Sequence, residues 1–365
     1  LAVKITRQTK NIVLLGSATS AAALRPGHER APAALRAAGI TDRLKAAGFH
    51  VTDLGDTATY VSQPDDEHPR ARNVSAILKS LNDLRPRVEV AVKSGALPVI
   101  LTGDCISVLA AIAGTRRYYR NVSLIYMDRD ADLNVPATTP SGCVDGMVIS
   151  QVIGRGAPEL VRFWGEPPLV REPDVALFGF DRLDEPEEKY LVASPLRRHP
   201  TLEVSTVGAA AAAHLALERV HALNHEFVLH FDVDVINGEE FPWTNLPGAG
   251  GLGVGEVRDA LRVFVSQPNL AALVVAGYNP ELDADGQGAR KLMDLLAEVL
   301  ATRLETTTAV AAGASETAAA SSVPDAPSSE AAPAAPPSAA STEAEPDRAT
   351  TDDLPDATEP DANVS

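Results

Sequence analysis

Continuously apolar runs, set between segments of helical periodicity, constrain this 365-residue chain more than any other feature. Residues 122–127 and 270–276 are almost wholly apolar and do not alternate with polar residues, and 226–232 is a β-type run that is apolar apart from Glu226, His230 and Asp232. A strand buried on both faces reads this way, whereas a strand with one wet face alternates. Further strands are expected at 11–16, 49–54, 97–101 and 174–179. Helical segments are expected between them at 31–38, 41–47, 74–93, 106–113, 145–153, 184–191, 206–224, 256–266 and 289–303. This order predicts an α/β fold with a mostly parallel central sheet covered on both faces, a three-layer αβα arrangement.

Three of these runs end in groups able to hold a cation. The strand at 122–127 leads into Asp128, Asp130 and Asp132, which a chain turning after the strand can bring together. The strand at 226–232 ends in Asp232 and Asp234, and the one at 97–101 leads to Asp104 and Cys105. The carboxyl edge of an open parallel sheet is where ligands bind. Converging carboxylates repel one another unless protons or cations neutralise them, and a divalent metal is the simplest neutraliser. A solvated acidic loop explains any one cluster, but three independent strand ends make surface decoration a poor account.

Composition excludes several function classes. The formal charge of −17 argues against nucleic acid or an anionic membrane as partner. Much of it is local: residues 311–365 hold eleven acids and one arginine, which accounts for −10. From about Glu305 the chain turns to Ala, Pro, Ser, Thr, Asp and Glu, with no aromatic after Tyr278. A folded domain is therefore expected over 1–304 and a disordered tail over 305–365. No apolar run approaches a membrane span. The residues from Asn11 onward resemble a short signal peptide but fit a first strand better. Two cysteines, Cys105 and Cys143, make no disulfide framework and suit a reducing, cytoplasmic compartment.

Taken together the motifs resemble those of the ureohydrolases: arginase, agmatinase, formiminoglutamase and their bacterial relatives. That family shows Gly-Gly-Asp-His, Asp-Ala-His-x-Asp-x-Asn, Ser-Gly-x-x-His-Gly, Asp-x-Asp and Glu-x-Asn-Pro in order. Here stand Thr102-Gly-Asp-Cys105, Asp128-Arg-Asp-Ala-Asp-Leu-Asn134, Ser141-Gly-Cys-Val-Asp-Gly146, Asp232-Val-Asp234 and Gly277-Tyr-Asn-Pro280. The Arg25-Pro-Gly27 segment and Asp53-Leu-Gly-Asp56 also look like the family, over residues 11–303 in all. The resemblance implies an arginase-like fold with two Mn2+ ions per chain and a bridging hydroxide that attacks a guanidinium carbon. It implies Cys105, Asp128, Asp130, Asp132, Asp232 and Asp234 as metal ligands, with Asp128 and Asp232 bridging. It implies Asn134, Thr139, Ser141, Asp184 and the position of Gly277 as substrate contacts, with Glu187 following Asp184 at the expected spacing. A homo-oligomer and a small guanidino or amidino substrate are expected.

The departures sit in the chemistry. Cys105 and Asp130 replace two histidines, Asp145 replaces the histidine that resembles a proton shuttle, and Gly277 replaces the glutamate that receives the guanidinium. A carboxylic acid at 145 shuttles protons only if its pKa is raised toward neutrality; otherwise it is an N-cap for the helix ending near Ile153. Asn134, Thr139, Ser141 and Asp184 also have ordinary turn and capping roles. Cys143 reads as inert, Asp104 as a support behind the loop, and His28 as a loop residue that could be a ligand but is more often merely solvated. The reading is a metal-dependent hydrolase of C–N bonds in linear amidines; the second reading is a ureohydrolase-fold protein that has lost catalysis and works by binding or assembly.

Overall fold

The computed structural model describes residues 5–320, with side chains to Glu305. Eight strands are present among them: β1 Asn11–Ser17, β2 His50–Asp56, β3 Leu97–Thr102, β4 Val122–Met127, β5 Val175–Phe178, β6 Arg197–His199, β7 Glu226–Asp232 and β8 Leu270–Ala276. They form one sheet in the order β2-β1-β3-β8-β7-β4-β5-β6, and every pairing is parallel. Helices cover both faces, so the expected three-layer α/β architecture is the one observed. Residues up to Thr317 belong to one compact unit.

Strand periodicity divides the core. Phe227, Leu229 and Phe231 of β7 and Ile125 and Met127 of β4 pack on one face of the sheet. Val228 of β7 and Leu124 and Tyr126 of β4 pack on the other, because successive side chains point oppositely. The helix Val74–Lys93 buries Ile77, Leu81, Leu84, Val88 and Ala91 on that second side, one apolar stripe at helical spacing.

Three local expectations are corrected. The strand β6 is short and reads Arg-Arg-His, so no apolar run announces it; as an edge strand it pairs only with β5. The single helix expected over 206–224 is two, Thr201–Val207 and Ala209–Arg219. Gly208 separates them at φ 93° and ψ 131°, where a helix cannot continue. The last helix, Gln287–Ala320, continues past residue 304. The tail expected over 305–365 lies outside the described residues from 321 onward.

The strand order matters for function. Because β3, β8, β7 and β4 are neighbours, their carboxyl ends lie side by side.

Candidate metal centre and its cavity

Each strand end hands its polar groups to the next by a short turn. After β3, Gly103 passes so close to another segment that a Cβ would lie 2.0 Å from the Thr19 carbonyl oxygen. Asp104 sits behind this turn, where its Oδ2 accepts the Ala22 N–H at 2.9 Å and the Thr19 hydroxyl at 3.2 Å. Burial, above all, raises its pKa to about 6. Cys105 then opens a 3-10 turn, and its thiol lies 2.8 Å from Asp232 Oδ2 and 3.8 Å from Asp128 Oδ2. At the end of β4, Asp128 Oδ1 accepts the Asp130 N–H at 2.8 Å; at the end of β7, Asp232 Oδ1 accepts the Asp234 N–H at 2.7 Å. Each first acid therefore fixes the turn that carries the second.

Two groups of donors result. Ligand atoms of Cys105, Asp128, His230 and Asp232 all lie within 4.8 Å of one another, and so do those of Asp128, Asp130 and Asp234. Asp128 belongs to both groups, whereas Asp232 belongs to the first alone. The first group fits a divalent cation: it joins anionic donors to an imidazole whose two nitrogens have no hydrogen-bond partner. The second already contains a cation, because Arg182 Nη2 lies 2.6 Å from Asp234 Oδ2 and Nη1 lies 3.3 Å from Asp130 Oδ2.

Electrostatics place the floor under strain. Burial first, and then mutual repulsion, push the carboxyls of Asp128, Asp132, Asp145 and Asp232 well above the usual range. Asp130 is pushed to about 7 by burial and by Asp234, against the opposing pull of Arg182. The Cys105 thiol is raised by burial and by the Asp232, Asp145 and Asp128 charges. Burial and crowding thus favour the protonated forms of these groups, and a bound divalent ion inverts that preference.

All the residues expected at the site line one cavity of about 580 Å³, including Asn134, Thr139, Ser141, Asp184 and Gly277. Asp132 is there too, but Tyr126 donates a hydrogen bond to its carboxylate and it falls outside both donor groups. Its backbone is left-handed at φ 50°, an uncommon conformation for a non-glycine residue. Asp145 does not cap its own helix, contrary to the capping alternative; it accepts the Cys105 N–H at 2.9 Å and so caps a different turn. Asp184 is the N-cap of the helix Glu185–Ala193, and Glu187 reaches back to its N–H at 2.8 Å. Glu187 also accepts the N–H groups of Leu133 and Asn134, which ties the 134–141 loop to this helix.

The family model for the arginase family matches residues 10–302. The chain belongs to the arginase family. It is 26% identical to an arginase of Bacillus subtilis over 295 residues, covering 81% of this chain and 99% of that one. The crystal structure of arginase from Bacillus cereus superposes with TM-score 0.73 at 25% identity, covering 80% of this chain and 98% of the other. Native arginase from Bacillus caldovelox gives TM-score 0.74 at 25% identity, with the same coverage.

Three residues of this family member escape the motif pattern. His230 is fully buried on β7, stacked on Tyr126 with ring centroids 4.4 Å apart and planes at 8°. Strand periodicity was the available signal, since His230 stands two residues before Asp232 and so on the same face. Arg182 has no such signal: only the close approach of the 181–184 loop, bridged to Asp130, places it at the acids. His28 is not solvated but 5% exposed, and it lines the cavity with both ring nitrogens unpartnered. Burial chiefly lowers its pKa to about 4, partly opposed by Glu29.

Proposed function

We propose that this arginase-family hydrolase cleaves a C–N bond in a linear amidine, a guanidino or amidino compound that also carries a carboxylate, with the help of divalent metal. The observation that carries the reading is the convergence of Cys105, Asp128 and Asp232, from three separate strands, at the floor of the one cavity that also holds the 134–141 loop. Manganese is the ion the family resemblance implies. A divalent ion, when bound, polarises the reacting carbon's substituents and makes water a nucleophile near neutral pH.

The chain's own residues do the rest. The Thr139 hydroxyl oxygen accepts the Gly142 N–H at 3.0 Å, and the Ser141 oxygen accepts the Cys143 N–H at 3.1 Å. With those oxygens already accepting, their O–H protons are free to donate to a substrate carboxylate. The Asn134 amide donates to Asp184 at 2.8 Å and accepts from Thr138 at 2.8 Å, so it shapes the loop. Asp145, which accepts the Cys105 N–H and whose pKa is raised chiefly by burial, stands at the cavity wall as the group to pass a proton to a leaving nitrogen.

At Gly277 the backbone is left-handed at φ 84°, and a Cβ would lie 2.0 Å from Asp232 Oδ1. Glycine projects no carboxylate, and a side chain added here would have to displace Asp232, so the guanidinium contact worth about 1.5–3 kcal/mol is missing. Substrate preference therefore departs from that of arginine hydrolysis. The unpaired thiols Cys105 and Cys143 support a cytoplasmic setting, and a homo-oligomer belongs to the same reading. Among the described residues no helix is long and apolar enough to cross a membrane. The test is a screen of guanidino and amidino acids against metal-loaded protein, with separate detection of urea, ammonia and formamide. Release of one of these from a carboxylate-bearing substrate is expected; inertness toward the whole panel with metal bound sinks the proposal.

A further inference from the structure

Resting on the reading of the floor as a metal centre, we propose that this chain holds one divalent ion of the zinc class, ligated by Cys105, Asp128, His230 and Asp232. The Arg182 guanidinium takes the place of a second cation. Two independent observations carry this. The first is His230, 0% exposed, with neither nitrogen hydrogen-bonded, and with Nε2 3.9 Å from Asp128 Oδ2. That gap is too long for a hydrogen bond, yet it matches the spacing of about 3–4 Å between donors that share a tetrahedral ion at about 2.0–2.3 Å. Cys105 Sγ stands at a similar 3.8 Å from the same oxygen, and at 2.8 Å from Asp232 Oδ2, a thiol hydrogen bond that a bound ion would replace. Stacking on Tyr126 fixes the ring plane. One thiolate, one imidazole and two carboxylates form a mixed set that suits Zn2+ or Co2+; an all-oxygen set suits Mn2+.

The second observation is the occupied half. Arg182 is fixed by its backbone as well as its side chain: its N–H donates to the Arg129 carbonyl at 3.1 Å, and its guanidinium bridges Asp130 and Asp234. The departures from the family pattern then pair off. Cys105 exchanges an imidazole for a thiolate, and His230 returns an imidazole from another strand. Asp130 exchanges an imidazole for a carboxylate, and Arg182 supplies the cation such a carboxylate can pair with and an imidazole could not.

The experiment is metal analysis of the full chain loaded separately with Zn2+, Co2+ and Mn2+ and then desalted, with absorption spectra of the Co2+ form. The expected result is about one Zn2+ or Co2+ per chain, Mn2+ lost, and a thiolate-to-cobalt charge-transfer band. His230→Phe keeps the stacked ring but removes the donor, and it weakens Zn2+ affinity by more than about 100-fold, beyond what outer-shell changes do. Arg182→Met, or Arg182→Met with Asp130→His should the single variant misfold, takes up about two ions. Two ions in the unmodified chain, unchanged affinity in His230→Phe, or a Co2+ form without the thiolate band overturns the inference. A two-ion chain leaves the hydrolase reading standing; a chain that takes up no ion under any loading overturns both.

Discussion

The two halves of the acidic floor share Asp128 and differ in what answers their charge. On one side Asp130 and Asp234 face Arg182, a cation fixed in the polypeptide. On the other, Cys105, Asp128 and Asp232 face only the unpartnered ring of His230. The first half holds a fixed cation, although one guanidinium answers two carboxylates and Asp130 is still raised to about 7. The second is a buried set of like charges that keeps its shape only by retaining protons or by taking up a metal. Function is therefore sought in the half left incomplete, and the paired half reads as its support.

Breaking the incomplete half has the largest effect. Asp232→Ala removes a donor from the first group, so metal retention by elemental analysis and turnover both fall to background; metal held as before places the centre elsewhere. Next is Asp145→Asn, whose amide oxygen still accepts the Cys105 N–H. A drop in kcat/KM of about 10²–10⁴ is expected, with stability within about 0.5 kcal/mol. If Asp145 served only as a cap, neither quantity would move. Gly277→Ala puts a methyl group against Asp232 in a left-handed backbone, and denaturant melts are expected to show a loss of about 3–5 kcal/mol. Near-normal stability there would mean that Asp232 has room to retreat.

The smallest effect concerns His28, at the cavity rim rather than the floor. Its folded pKa of about 4 lies below the ordinary value of 6.5. The unfolded chain takes up this proton first as pH falls, so stability declines between pH 6.5 and 4, by at most about 3 kcal/mol. His28→Gln removes the proton acceptor and flattens the stability profile in that window. An unaltered slope would assign it to other groups.

The fold was legible because its strands are buried on both faces: 122–127, 226–232 and 270–276 coincide with β4, β7 and β8. The edge strand Arg197–His199 was not, because its pairing with β5 leaves no apolar signature in three charged or polar residues. At the site, residues that end strands were readable, since strand position dictates where they emerge. His28, Arg182 and His230 were not, each for a different reason. A loop histidine becomes buried only through packing of distant segments, Arg182 reaches the acids across a loop, and His230 looked like one more residue of an apolar run.

Gly277 has a consequence for how this chain can change. The glutamate found there in the family pattern needs a side chain that starts where Asp232 Oδ1 now sits. A glutamate placed there by a single substitution would contend with a floor carboxylate for one space unless Asp232 moves. Installing the glutamate of the family pattern would then call for a coordinated change at the floor as well as at position 277. Backbone geometry thus couples these two positions, so that neither can be changed without regard to the other.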